Sequence, residues 1–302
     1  FLELGSEDAG ERRDIAECGP CVALARRATT VFALCENMPL DDLQSAIFAA
    51  IRGRRNPDSH VAGATALHRG PGSPRFSEDV DIFHDLERLV AENAAEDSAA
   101  LRAAGFTVEI DKTFPTFYRA WVSRDERRMK IEWVADSAFR FFPAVPDPVL
   151  GFRLHDADLA VNKVLAGAGR VKIRDYVDMI HLDESGLTLG ALAWAATGKD
   201  PGMAPLFVLD ELSRNARYYR PEELNDVRLV RPTTVQALKE KWLPMLRRAR
   251  FLVESLPERE VGCLYLDGTG KVVTPVPEAA EFSGLKRHFG SLRGSWPRVV
   301  VE

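Results

Sequence analysis

Between His60 and Asp85 the chain reads HVAGATALHRGPGSPRFSEDVDIFHD, and this stretch narrows the choice of fold more than any other. It ends in Asp79-Val80-Asp81-Ile82-Phe83. On a strand, alternate residues share a face, so the two aspartates project together while Val80 and Ile82 turn into a core. At ~3.3 Å rise per residue the carboxylates stand about 6.6 Å apart along the strand. That spacing suits a pair of divalent cations roughly 3.5–4 Å apart, the arrangement of in-line phosphoryl chemistry. Upstream, Val61-Ala62 reads as a short strand entering Gly63-Ala64-Thr65. Gly63 permits a tight turn, Thr65 is expected to start a helix through His68, and the free N–H groups there favour a phosphate. A phosphate cradle followed by a two-carboxylate strand is what a nucleoside triphosphate with Mg²⁺ (or Mn²⁺) requires.

The residues that follow extend the sheet. A helix is expected from after Asp85 to about Ala104, with Gly105 as its cap. Phe106–Ile110 and Phe117–Val122 alternate as strands, and the charged turn Arg124–Arg127 leads into Met129–Val134. In that last strand Met129, Ile131 and Trp133 share one face, and Lys130, Glu132 and Val134 share the other. A glutamate between Ile131 and Trp133 is costly to bury without a cation or partner, so Glu132 is either a third site carboxylate or a solvent-facing residue paired with Arg128 or Lys130. Further on, Asp156–Lys163 is helical, Gly167 and Gly169 are expected to interrupt it, and Lys172–Leu182 resumes a helix. Asp175 and Asp178 fall together on a face of that helix with Arg174 beside them. A lysine such as Lys163 is a point charge suited to a triphosphate and to the charge that grows on departing pyrophosphate. Arg170 and Arg174 suit phosphate or an acceptor. The alternative is a salt-bridged surface helix with Arg174 paired to Asp178, or an aspartate that only orients an arginine.

These residues resemble a known pattern. Gly63-Ala64-Thr65-Ala66-Leu67, a basic spacer, and Arg75-Phe76-Ser77-Glu78-Asp79-Val80-Asp81 are similar to the first motif of the nucleotidyltransferase superfamily, most of all to the AbiEii/AbiGii toxin family. Asp158, Leu159, Lys163, Arg170, Arg174, Asp175 and Asp178 resemble the second half of that family's signature. Ala64 stands where Gly or Ser is more usual, which removes a hydroxyl but leaves the backbone cradle. The resemblance covers about Gly63 to Asp178. It implies an α/β (α+β) nucleotidyltransferase-like mixed sheet with flanking helices, followed by a mainly helical domain. It implies Asp79, Asp81 and Glu132 as metal-binding carboxylates, and Lys163 and Asp178 as further catalytic residues. Gly63, Ala64, Thr65, Arg75, Ser77, Lys163, Arg170, Arg174 and Asp175 are then the nucleotide-binding residues. It also implies the toxin of a bacterial toxin–antitoxin or phage-defence pair, with a cognate antitoxin as partner and the 3′ end of tRNA as acceptor.

The remainder sets bounds. A chain of 302 residues is long enough for two domains, and the boundary is expected at about residue 150, giving a catalytic domain over residues 1–150 and a mainly helical domain over residues 151–302. Hydrophobic content of 46% and charged content of 28% belong to a soluble globular protein. No apolar run approaches ~18 residues, so no membrane span is expected. Phe1–Gly10 is polar and acidic and lacks the order of a signal peptide, which points to the cytoplasm, and the absent initiator Met points to a trimmed start. A net charge of −5 means that any nucleic-acid site has to be local, with Arg170, Lys172 and Arg174, extended by Arg247, Arg248 and Arg250, as the basic strip. Cys18 and Cys21 have thioredoxin-type spacing, but no apolar strand precedes them and no further zinc ligands lie close, so they read as the start of a helix over Cys21–Glu36. Asp41 and Asp42 cap a second helix reaching Ile51. Leu187–Ala196, Leu206–Ala216 and Thr234–Leu256 read as helices, the last kinked at Pro244, and Val261–Val273 reads as a β-hairpin. Two other functions fit the same residues: transfer to a small molecule or protein side chain, and a non-enzymatic interaction protein keeping a dead site.

Overall fold

The computed structural model describes residues 40–297; the expected helix over Cys21–Glu36 and the Cys18/Cys21 pair lie outside the described residues. Helix α1 (Asp42–Ile51) begins at a full capping box, in which Asp41 accepts from the Gln44 N–H and the Gln44 side chain accepts from the Asp41 N–H. Strand β1 (Ser59–Val61) runs into the short helix α2 (Gly63–Leu67), and β2 (Asp79–His84) carries the aspartates. Helix α3 (Arg88–Ala103) follows, and the chain reverses at Gly105 (φ +85°). Then come β3 (Thr107–Phe114), β4 (Phe117–Arg124) and β5 (Arg127–Ala135). The connector between the sheet's long strands and the helices that follow holds short strands, β6 (Phe139–Arg140), β7 (Val145–Asp147) and β8 (Gly151–Arg153).

One mixed sheet has the order β3-β4-β5-β2-β1-β8-β7. Its centre decides the site. β2 and β5 are parallel, with Asp79 beside Lys130, Asp81 beside Glu132 and Phe83 beside Val134. β4 and β5 are antiparallel, with Arg119 beside Glu132 and Phe117 beside Val134. Because alternate residues share a face, one register fixes every neighbour at once. The opposite face, Val80, Ile82, Ile131 and Trp133, is fully buried. There Trp133 donates to Asp97 of α3 at 2.8 Å, and Asp97 is held at 2.7 Å by Arg55, so the buried indole N–H and the buried guanidinium share one acceptor.

The helical region comprises α4 (Asp156–Gly169), α5 (Ile173–Glu184), α6 (Leu189–Lys199), α7 (Pro205–Asn215) and α8 (Val235–Ser255). They close on a core that includes Tyr176, Trp194, Leu209 and Trp242. Gly167 does not interrupt α4, contrary to the expectation from sequence; it lies inside the helix, where a Cβ would fall 2.9 Å from Met179 Cε and 3.1 Å from Leu212 Cδ2. The glycine thus lets α5 and α7 approach α4, and the helix ends at Gly169. The late hairpin forms only in part. Its turn closes with Leu266 bridged to Val272, but the strand that pairs with β9 (Leu264–Leu266) is β10 (Lys286–His288), with β11 (Ser291–Leu292) pairing to β6. Among the described residues no helix is long and apolar enough to cross a membrane.

Candidate active site

Gly63 adopts φ +61°, and a Cβ there would lie 1.9 Å from Asp81 Oδ2, so only glycine lets this turn press against the carboxylate. The helix it opens is capped by Ala62 without a side-chain bond, not by Thr65. Thr65 is buried beneath the turn; its hydroxyl donates to the Asp79 carbonyl and lies 2.9 Å from the Ser77 hydroxyl, which reaches the same carbonyl at 3.0 Å. These bonds pin the start of β2. The loop before it is clasped from the distant chain: Phe76 N–H donates to Arg228 O and Val230 N–H donates to Pro74 O, both at 2.9 Å, with the Arg228 guanidinium 5.0 Å from the Phe76 ring centre.

Beside β2 lies a cavity of about 460 Å³ lined by the sheet face and by α4. It gathers most of the residues that the sequence singles out: Gly63, Ala64, Arg75, Ser77, Asp79, Asp81, Glu132, Lys163, Arg170 and Arg174. Thr65, Asp175 and Asp178 are not in its wall. Sequence reasoning misses Arg119, Lys130, Asn162, Phe83 and Phe117 as site residues, and all five line the cavity. The alternation of both strands carries a signal for Arg119, because the turn at Asp125-Glu126 fixes the register that sets it opposite Glu132.

The three carboxylates are not equivalent. Lys130 Nζ sits 3.3 Å from Asp79 Oδ2 and 3.2 Å from Glu132 Oε1. Arg119 adds bonds of 2.8 and 2.7 Å to Glu132, and Arg174 approaches Asp79 at 3.6 Å instead of pairing with Asp178. Asp81 forms no ion pair among the described residues. Desolvation, then the charges of Asp79 and Glu132, push its carboxyl up to about 6. Hard oxygen donors of this kind suit Mg²⁺ or Mn²⁺, and Asp81 is the one whose negative charge lacks a cation. Among the described residues no group of three or more His, Cys, Asp or Glu side chains is already arranged to hold a metal ion, and the Lys130 ammonium bridges Asp79 and Glu132.

Behind the cavity wall the helices hold a second set of charges. Asp178 is fully buried and takes Arg75 Nε at 2.6 Å, Arg75 Nη2 at 2.7 Å, His68 Nε2 at 2.8 Å and Lys163 Nζ at 3.0 Å. Burial alone would raise its carboxyl; Lys163, His68 and Arg75 together hold it well below the usual carboxylate range. Asp175 takes Lys163 at 3.1 Å and Arg170 at 2.8 and 3.1 Å, and its carboxyl is likewise lowered against burial, by Lys163 and Arg170. Burial lowers the His68 pKa against the pull of Asp178, and the ring bridges Asp178 through Nε2 and Ser73 Oγ, 2.6 Å away, through Nδ1. Lys163 is therefore anchored by two buried carboxylates and reaches the cavity from them. Asp158, matched to the same signature, accepts the Phe141 and Phe142 N–H groups at 2.9 and 3.0 Å and so ties the connector to α4.

Solved structures of similar shape include a putative nucleotidyltransferase from H. pylori (TM-score 0.48, 18% identity, covering 72% of this chain and 100% of that one). Another is MenT4, the nucleotidyltransferase toxin Rv2826c from Mycobacterium tuberculosis H37Rv (TM-score 0.48, 17% identity, covering 78% and 90%). No curated protein matches the chain. The family described as nucleotidyl transferase AbiEii toxin, type IV toxin–antitoxin system, matches residues 54–260, which takes in the glycine turn, every carboxylate of the cavity and the anchored lysine. With more than half its length inside that match, the chain belongs to the AbiEii family and is a nucleotidyltransferase.

Proposed function

We propose that this enzyme moves a nucleoside monophosphate from a nucleoside triphosphate to an RNA 3′ end, with tRNA as the acceptor, and that it does so in the cytoplasm as the toxin of a toxin–antitoxin or phage-defence pair. The observation that carries the reading is one cavity holding six cationic side chains, Arg75, Arg119, Lys130, Lys163, Arg170 and Arg174, against the carboxylates Glu78, Asp79, Asp81 and Glu132. A triphosphate matches the excess of positive charge, and a divalent cation matches Asp81.

Asp79, Asp81 and Glu132 would hold Mg²⁺ or Mn²⁺, which when bound neutralises charge on the reacting phosphate. The chain's own groups do the rest. The Gly63 turn faces the phosphates, Ser77 supports it by pinning the start of β2, and Lys163, Arg170 and Arg174 stabilise the negative charge that develops on the leaving pyrophosphate. Asp175 and Asp178 act as positioning residues, since they hold Lys163 and Arg170 without touching the cavity. The acceptor hydroxyl attacks the α-phosphorus, the bond to pyrophosphate breaks, and the hydroxyl proton passes to a cavity carboxylate, for which Glu132 is the candidate. The division of labour falls at about residue 150, with the helical region supplying the lysine and arginines. A cognate antitoxin is the partner that would oppose this activity.

The test is purified protein with each labelled nucleotide, Mg²⁺ or Mn²⁺, and separate pools of total RNA, protein and small molecules. Label on the acceptor end of tRNA, lost on chelation, is the expected result. Label on protein or small molecules alone, with tRNA present throughout, overturns the acceptor. Equal labelling after chelation overturns the metal.

A further inference from the structure

We infer that the apolar end of the cavity is a nucleobase subsite built for uracil, with Asn162 as the group that reads the base; this rests on the triphosphate reading above. Beyond Asp81 and Glu132 on the same face of the sheet come Phe83, Val134 and Phe117, side by side through the registers Phe83–Val134 and Phe117–Val134. They make a flat apolar ledge one alternation away from the carboxylates, about 7 Å along the strands. A cavity with charges in the middle and aromatic rings at one end matches a molecule with a phosphate tail and a flat ring, since stacking on an aromatic face is favourable for any base. On α4, Leu159, Asn162, Lys163 and Ala166 line the same cavity at helical spacing, so the residue beside the anchored lysine is an amide.

That amide has only one way to point. Lys199 Nζ lies 2.6 Å from Asn162 Oδ1 and 3.3 Å from Asp158 Oδ1, and Asp158 is in turn fixed by two backbone N–H groups. An ammonium only donates, so Oδ1 must face Lys199 and the two N–H bonds of Nδ2 are left without a partner among the described residues. Arg119, 5.2 Å from the Phe117 ring centre, also donates; Glu132 spends Oε1 on Arg119 and Lys130, and its other oxygen belongs to the divalent cation in the reading above. A wall that donates favours a base rich in carbonyl oxygens. Uracil offers two and has no exocyclic amine. Cytosine and adenine bring an amine that this wall leaves unpaired, and guanine brings an amine together with its single carbonyl. An unpaired polar group of that kind weakens binding by about tenfold or more.

The experiment measures the affinity of the full chain for UTP, CTP, ATP and GTP in Mg²⁺ by calorimetry. UTP is expected to bind about tenfold more tightly than CTP or ATP. Asn162→Asp exchanges the donor for an acceptor and is expected to turn the preference from UTP to CTP. Lys199→Met frees the amide to rotate and is expected to collapse the UTP–CTP ratio towards one, which a loss of folding would not do because all four affinities would fall together. Phe117→Ala is expected to weaken all four alike. Equal binding of the four nucleotides by the native chain, tightest binding of another base, or an unchanged UTP–CTP ratio in both Asn162→Asp and Lys199→Met overturns the subsite. A folded protein that binds none of the four overturns the triphosphate reading itself.

Discussion

Asp81 and Asp178 both lie in the field of Lys163, yet their environments drive them in opposite directions. Asp178 is enclosed by donors from Arg75, His68 and Lys163 and stays ionised far below the ordinary carboxylate range. Asp81 has two acidic neighbours, no ion pair among the described residues, and a carboxyl raised to about 6. Desolvation penalises both charges; the count of donors decides which one is tolerated. The set behind the wall is complete and behaves as scaffold. On the sheet Asp79 and Glu132 are paired with Lys130, Arg119 and Arg174, and Asp81 alone of the three is left without a cation, as expected of a place that takes one.

The contrast breaks hardest at the completed set. Asp178→Ala leaves Arg75 and Lys163 facing each other in the interior, and losing one partner of a buried network costs about 3–5 kcal/mol. A fall in Tm on the order of 10 °C is expected by calorimetry. A shift below about 2 °C would show that the network is solvated and not scaffold.

Asp81→Asn is expected to do the reverse: transfer falls by at least about a hundredfold, while Tm without divalent cations holds or rises. The pH dependence isolates this residue. The native chain keeps the Asp81 proton up to about 6 whereas the unfolded chain releases it near the ordinary value of 3.8, so the folded state binds more protons in that window and Asp81 lowers stability as pH rises through it. Asp175, Asp178 and the buried histidines His60 and His84, both held down to about 3, act in the opposite sense, losing stability on acidification. Subtracting the Asp81→Asn stability curve from the native curve between about pH 4 and 6 is expected to leave a falling line; a flat difference means that Asp81 is not raised.

Gly63→Ala is expected to abolish transfer with a smaller loss of stability, of roughly 1–3 kcal/mol, since it combines strain at positive φ with a Cβ placed against Asp81. Wild-type turnover in this variant would detach the turn from the site. Lys163→Ala is expected to weaken triphosphate binding, but it also strips two buried carboxylates of a cation, so its kinetics are read beside its melting curve. The smallest effect belongs to Arg248→Ala, whose exposed pair with Asp183 is worth less than about 1 kcal/mol. Arg248 and Arg250 are both already paired, with Asp183 and Asp210, which argues against a long basic strip from α8. A reduced salt dependence of RNA binding in Arg248→Ala would restore it.

How much of this is legible in the sequence follows from the range of each interaction. Asp79, Asp81 and Glu132 can be read because strand alternation is local, and the register then carries them to one face. Asp41 as a cap can be read for the same reason. The burial of Asp178 cannot, because the order of charged residues says nothing about what covers them; His68 and Arg75 reach it from over a hundred residues away. Gly167 looks like a break because a glycine's packing partners, here Met179 and Leu212, are invisible in a helix read alone. The late hairpin shows its turn and hides its partner, since β10 lies beyond the local signal.

The clasp between Arg228–Val230 and Pro74–Phe76 joins segments about 150 residues apart. On a ribosome adding roughly 5–20 residues per second, the loop that launches the carboxylate strand waits about 8–30 s for the backbone that holds it. A nascent chain therefore carries its Asp79–Asp81 motif well before it carries the means to keep that motif in place, and a message truncated ahead of Arg228 yields a protein whose Arg75–Phe76 edge has no strand to meet.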